Sequence, residues 1–449
     1  MVRAGPAIRR PAGDYSGYGL RHNRHLRLNF MSDASGLSSL FAAGQFLHPV
    51  DSSVPNSVDL VRAIARESGG TTVDLLPGST PHVQMLSGEL ESADHILFVL
   101  IDGLGMSIME QHLEADGFLR GGFRRELRAV FPSTTTVALT SLASGAWPGT
   151  HGLTGWWTHF PDTAVTMALL PFRERFTNRN MRDSGIEATA LIHAQALWGD
   201  GDRDVHVVLP RSIRNGSYNE WFNAGAVSGE SVRTKKLAKR VRQLIRASRG
   251  PTLTYVYLPQ VDSRSHRCGP YSDETAETAR ELERTCAHLL KQARAASRGC
   301  VSMIVTADHG QISTPPEREL LIHHDDPIAR YFRVPPSGDA RACQLWLNTD
   351  RPVSEQLPEL EKLLRKRITD IPGGDSEYAL VETDDLIQAG LLGPVELTPA
   401  VRARWGDAVL LSADDLAVEY VAPDGSFHGF QGNHSGLSPE EMRIPLIIR

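Results

Sequence analysis

Two apolar runs in this chain stop abruptly in an aspartate, and that punctuation constrains the fold more than any bulk property. His95-Ile-Leu-Phe-Val-Leu-Ile101 is followed by Asp102-Gly103, and Val301-Ser-Met-Ile-Val-Thr-Ala307 by Asp308-His309-Gly310. Each run has the length and β-branched content of a strand buried on both faces. A third run, Thr252-Leu-Thr-Tyr-Val-Tyr-Leu258, leads into Asp262 a few residues further on. Helical stretches separate the runs. One starts at Thr234 and reaches about Ser248. Another is long and amphipathic, capped by Ser272, and runs to about Ala296 before Gly299. An earlier helix, capped by Asn56 or Ser57, extends to about Glu67 and is closed by Gly69-Gly70. The alternation predicts an α/β fold with a mainly parallel sheet sandwiched by helices. In such sheets ligands gather outside the carboxyl ends of the strands, where the three acids fall.

The rest of the chain is less regular. Residues 155–232 are rich in Trp, Arg and Asn and show no long periodic pattern. Residues 312–430 have a strand-like piece near Cys343–Leu347 and a helix near Leu357–Arg365. Both read as insertions that form a cap over the site rather than sheet core. Ile444-Pro-Leu-Ile-Ile448 reads as a closing strand, and the main domain spans 46–449. Residues 1–45 read as a flexible extension. Its first 30 residues carry six arginines against one acid, Asp14, and no hydrophobic h-region, so a secretory signal is not expected.

Charge narrows the partners. The formal net charge of −6 and the absence of a long Lys/Arg stripe argue against a nucleic-acid polymer. No apolar run approaches a membrane span. Cys268, Cys286, Cys300 and Cys343 form no CxxC pair, which fits a reducing cytosol and a cytoplasmic protein.

The acids keep telling company. Asp262-Ser-Arg-Ser-His266 sets a carboxylate and an imidazole four residues apart, on one face if the segment is helical. Asp308 and His309 can serve one site only if the chain turns there, and Gly310 permits a turn. His434 lies in a glycine-flanked loop, Gly-Asn-His-Ser-Gly. Three carboxylates and three imidazoles suit two divalent cations, with Zn²⁺ first and Mn²⁺ or Fe as alternatives. Two such ions carry four positive charges and three aspartates cancel three, so the remainder favours an anionic substrate such as a phosphate. In Phe131-Pro-Ser-Thr-Thr-Thr136 several hydroxyls precede a small-residue helix, whose N-terminus attracts phosphate. A hydroxyl there is either a helix cap or a nucleophile that a bound metal activates.

These blocks resemble the alkaline phosphatase superfamily, in its nucleotide pyrophosphatase/phosphodiesterase branch. The matching segments are V-L-I-D-G-L-G at 99–105, F-P-S-T-T-T at 131–136 and G-T-H-G-L at 149–153. They continue with Y-L-P-Q-V-D-S-R-S-H-R-C-G-P at 257–270, T-A-D-H-G at 306–310 and G-N-H-S-G at 432–436. The resemblance implies an alkaline-phosphatase-like catalytic domain. It also implies metal-dependent hydrolysis of phosphodiester or pyrophosphate bonds through a covalent phospho-threonine intermediate. Asp102, Asp308 and His309 would hold one metal together with the nucleophile's oxygen, and Asp262, His266 and His434 the other. Thr135 aligns with the family nucleophile, with Thr134 as the fallback. The implied substrate is a small phosphate ester, such as a nucleotide.

One departure stands out. Where eukaryotic-type members carry an asparagine shortly after His-Gly-Ile, this chain has His151-Gly-Leu-Thr-Gly155 followed by Trp156 and Trp157. Trp156 can donate one hydrogen bond, stack on a base or sugar, or simply fill core. The alternative activities are a phosphomonoesterase or a phosphonate hydrolase of the same superfamily. Asp204, His206 and Arg211 are polar enough to line a site, whereas His323 and His324 read as a solvated loop.

Overall fold

The computed structural model describes residues 34–449 apart from 91, 211–215, 374–375, 426 and 428. The Arg-rich first 30 residues and Arg211 lie outside the described residues.

The three apolar runs form neighbouring strands at the centre of a seven-stranded sheet. Its order is Phe123–Arg128, Arg443–Ile448, Val301–Thr306, His95–Ile101, Thr252–Leu258, Asp204–Leu209 and Ser228–Ser231. The last five run parallel, and Arg443–Ile448 is antiparallel to both of its neighbours. Every residue of the three central strands is buried, because helices cover both faces. The register is nearly flush. His95 lies opposite both Thr252 and Val301, and Ile101 lies opposite Leu258. Strands that start level end level, so Asp102, Asp262 and Asp308 emerge along one edge.

The capping signals hold locally. Asn56 caps Ser57–Glu67 in a reciprocal box with Asp59, and the Ser272 side chain accepts from Thr275 N–H to start Asp273–Arg294. Thr234–Ala247 forms the remaining expected helix. No helix among the described residues is long and apolar enough to cross a membrane.

Three expectations need correction. Asp204–Leu209 and Ser228–Ser231, assigned from sequence to the cap, belong to the central sheet. They lie at its edge, where polar residues such as His206, Ser228 and Glu230 break up the apolar run that marks a buried strand. Second, the two insertions are one structure. Three strands from the first (Trp157–Phe160, Val165–Ala168, Arg173–Glu174) join four from the second (Phe332–Asp339, Ala342–Leu347, Tyr378–Glu382, Ala408–Ser412) in another seven-stranded sheet. The join is the antiparallel pairing of Gly338 with Trp157. An apolar cluster that includes Leu345, Leu347, Leu360 and Leu364 packs the helix Val353–Thr369 beside it. Third, the folded part starts before residue 46. Leu37 and Leu40 of the helix Ala34–Ala42 are buried in the main core with Phe46. That helix has too few residues to show a periodic signal.

Candidate active site

Asp102 leaves the central strand at its carboxyl end, and the chain turns at once. Gly103 has φ +74°, and a Cβ there would approach Asp262 Cα to 3.0 Å, so only glycine fits. Its N–H donates to Asp308 Oδ1 at 3.1 Å, which ties two strand ends together. Gly310 serves a different purpose from the turn expected of it. A Cβ there would come 2.0 Å from Glu440 O, so the glycine is needed for close approach.

Asp262 and His266 lie four residues apart on the helix Gln260–Cys268, with His266 Nε2 3.1 Å from Asp262 Oδ1. His434 follows the short strand Gly432–Asn433, which pairs with Ile312–Ser313 and so draws its loop toward Asp308-His309. His434 Nε2 lies 3.5 Å from Asp262 Oδ1, and its ring stacks on His309 with centroids 3.7 Å apart. His309 Nε2 is 3.5 Å from both Asp102 Oδ1 and Asp308 Oδ2. Thr135 opens the helix Thr135–Ser144 and places Oγ1 3.2 Å from His309 Nε2. The six candidate metal ligands and Thr135 therefore meet.

The threonines here do not cap. Thr134 makes no side-chain cap bond, and Thr134 Oγ1 and Thr136 Oγ1 are buried without partners.

Each imidazole is held in one orientation. Nδ1 of His266, His309 and His434 faces the backbone oxygens of Gly432, Gly310 and Ser133 at 2.7, 3.0 and 2.9 Å. A carbonyl only accepts, so Nδ1 carries the proton and the neutral ring turns the Nε2 lone pair into the site. The carboxylates are crowded. Burial, then Asp308 and Asp262, push the Asp102 carboxyl well above its ordinary range. Asp262 is held low: burial opposes this, but His266, His434 and His309 outweigh it. Burial together with His309 and His266 pushes His434 well below the usual imidazole value.

The donor set fits cations. Asp102 Oδ1 and Asp308 Oδ2 are buried with no hydrogen-bond partner, which is costly unless something positive meets them. Two triplets bring ligand atoms within 4.8 Å of one another: Asp262/His266/His434 and Asp102/Asp262/His309. Asp262 belongs to both, and Asp308 adjoins the second through His309.

The site opens into a cavity of about 200 Å³, lined by Thr134, Thr135, Asp262, His266 and His434 at one end. Trp156 lines it too, so its side chain is not core; its backbone N–H donates to Asp339 Oδ2 at 2.9 Å. Several contributors escaped the sequence reading. Tyr257 donates to Asp102 Oδ2 and Gln311 Nε2 to Asp262 Oδ1. Both sit inside or beside matched blocks, and their polarity in apolar or turn segments was the available signal. Arg175, Tyr420 and Phe430 also line the cavity, from segments without any recognisable motif.

Asp204 and His206 lie outside this cavity, and His206 instead bonds Ser228 Oγ at 2.8 Å. His323 and His324 are exposed, while Asp326 caps Pro327–Tyr331 and pairs with Arg367.

Residues 96–435 match the family described as type I phosphodiesterase / nucleotide pyrophosphatase. Venom phosphodiesterase 2 of Crotalus adamanteus is 25% identical over 220 residues, which is 47% of this chain and 25% of that protein. Venom phosphodiesterase 1 of the same snake matches at 25% identity over 47% of this chain and 24% of its own length. The matched part thus spans about a quarter of the length of these curated relatives. Among solved structures, murine ectonucleotide pyrophosphatase/phosphodiesterase 5 shares the fold with TM-score 0.55 and 14% identity, over 78% of this chain and 87% of its own. Phosphonoacetate hydrolase from Sinorhizobium meliloti, solved with phosphonoformate, gives 0.54 and 16% over 78% and 89%. With the family matched from the first central strand to the His434 loop, the chain belongs to the type I phosphodiesterase / nucleotide pyrophosphatase family of the alkaline phosphatase superfamily.

Proposed function

We propose that this chain is a two-metal hydrolase of phosphodiester or pyrophosphate bonds that uses Thr135 as its nucleophile. The observation that carries the reading is the convergence of Thr135 Oγ1, three imidazole Nε2 atoms and two partnerless buried carboxylate oxygens at a cavity that Thr135, Asp262, His266 and His434 line. Asp102, Asp308 and His309 would hold one divalent cation and Asp262, His266 and His434 the other, with Zn²⁺ favoured by the nitrogen-rich donor set. Such cations, when bound, supply the charge that lowers the hydroxyl's pKa and offsets the phosphate's negative charge.

The chain's own groups do the rest. Thr135 sits at the first position of its helix, where backbone N–H groups lack intrahelical acceptors and can hold phosphate oxygens. Its Oγ, having given its proton to solvent, attacks phosphorus as the bond to the leaving oxygen breaks, and a covalent phospho-threonine forms; water then cleaves the Oγ–P bond, restoring the hydroxyl and releasing the phosphate product. Trp156 lines the cavity where it can stack on a substrate arm. Binding of AMP by an inactive variant of the murine enzyme supports a nucleotide as one substrate. Four unpaired cysteines agree with a reducing compartment such as the cytoplasm.

Trp156 and Trp157, in the segment where eukaryotic-type members carry an asparagine, favour one second reading, a phosphomonoesterase or phosphonate hydrolase. Turnover of bis-p-nitrophenyl phosphate, p-nitrophenyl phosphate and a phosphonate by zinc-loaded protein separates them. A diesterase turns over the first at least about tenfold faster, and the reverse order would favour the second reading.

A further inference from the structure

The cavity carries a feature that the reaction does not use. Arg175, immediately after the two-residue strand Arg173–Glu174, lines the same cavity as Thr135. Among the described lining residues it is the only Lys or Arg. Its backbone N–H donates to Thr166 O at 2.9 Å, fixing the chain to the neighbouring strand. Its guanidinium lies over three rings, 5.3 Å from the centroids of Trp157 and Phe176 and 5.9 Å from Tyr420. Nη1 donates to Pro336 O. Aromatic rings that crowd one cation form the kind of cage that otherwise receives a quaternary ammonium. Here the chain supplies the cation itself.

A guanidinium held by its face and by one N–H keeps other N–H groups along its edge for a planar or tetrahedral oxyanion. Two acids, Asp339 and Glu419, also line the cavity, and both act through space on Arg175 itself. Asp339 accepts the Trp156 N–H. Glu419 acts through space on Arg175 and on Glu319, whose carboxyl it helps to raise.

We propose that Arg175 is a specificity residue that selects phosphate substrates whose retained arm ends in a second oxyanion, and that it excludes arms ending in an ammonium group. The inference rests on the phosphoester-hydrolase reading above, and binding and turnover test the two separately.

Binding is read first, on zinc-loaded protein carrying Thr135→Ala so that no turnover intervenes, from the fluorescence of the cavity tryptophans. The probes are 3-carboxypropyl phosphate, its amide 3-carbamoylpropyl phosphate, and choline phosphate. The carboxylate should bind about tenfold or more tighter than the amide, the usual span for a charge-assisted hydrogen bond. Choline phosphate should bind weakest. In Arg175→Met the carboxylate-to-amide ratio should fall to about one, and Arg175→Lys, which keeps the charge without the fork, should fall between. Equal binding of carboxylate and amide by protein with Arg175 intact would overturn the proposal, as would tightest binding of choline phosphate or an unchanged ratio in Arg175→Met. Turnover of the p-nitrophenyl diesters that carry the same three arms, by zinc-loaded protein with Thr135 intact, is read second. Release of p-nitrophenolate from none of them would sink the hydrolase reading while leaving the binding result to decide the role of Arg175.

Discussion

His266 Nε2 and His434 Nε2 lie 3.2 Å apart, although each ring has its Nδ1 facing a backbone carbonyl. In neutral rings this sets two lone pairs against each other, with Asp262 Oδ1 at 3.1 and 3.5 Å from the same atoms. A shared cation resolves the repulsion. Protonating one ring also resolves it. Burial and its two histidine neighbours depress the affinity of His434 for a proton, whereas at His266 burial is outweighed by Asp262, which raises it.

Asp262 belongs to both ligand triplets, so its loss should cost more than one coordination bond. Asp262→Ala should lower zinc content, measured by plasma mass spectrometry, from about two per chain to one or fewer. Unchanged metal content would contradict its place at the junction.

Tyr257 holds Asp102 from behind, where its hydroxyl donates to Oδ2 and leaves Oδ1 toward the site. Groups in this position typically affect metal affinity by about 10- to 100-fold. Tyr257→Phe should therefore weaken zinc binding by roughly tenfold in a chelator competition, with near-ultraviolet circular dichroism unchanged. Wild-type affinity would return Tyr257 to the core.

Trp156 is expected to act on substrate arms rather than on the chemistry. Trp156→Ala should raise KM for nucleotide-like diesters roughly three- to tenfold with kcat little changed, as for loss of one aromatic stacking contact. Identical kinetics would remove it from the substrate site.

Glu319 supplies a pH prediction away from the metals. Burial and the nearby Glu419 carboxylate push its carboxyl up to about 7. The folded state thus holds a proton that the unfolded chain has lost above its ordinary 4.5. Stability from this group is complete below about pH 4.5 and declines as pH rises through about 7. Glu319→Gln should flatten that part of the Tm–pH curve. A curve of unchanged slope would show that Glu319 titrates normally.

Much of the site was legible because its residues punctuate apolar strands. Asp102 and Asp308 end fully buried runs, and Asp262 and His266 keep helical spacing, so local chemistry declared them before any fold was known. The cap was not legible. Trp157 and Gly338 pair across a separation of 181 residues, since 338 − 157 = 181, and no local signal encodes that contact. Arg175 was hidden for the same reason: the rings of Trp157 and Tyr420 come from opposite insertions and meet it only after the second sheet forms. The strand Ser228–Ser231 lacked an apolar signature because an edge position does not require one.

Covalent trapping at Thr135 tests the central claim most directly. Zinc-loaded protein is acid-quenched during turnover of a radiolabelled diester, digested, and its peptides sequenced by mass spectrometry. Label should sit on Thr135 in the wild type and vanish in Thr135→Ala, whose zinc content stays near two per chain. Label on Thr134 or on a histidine, or full turnover by Thr135→Ala, would contradict the account.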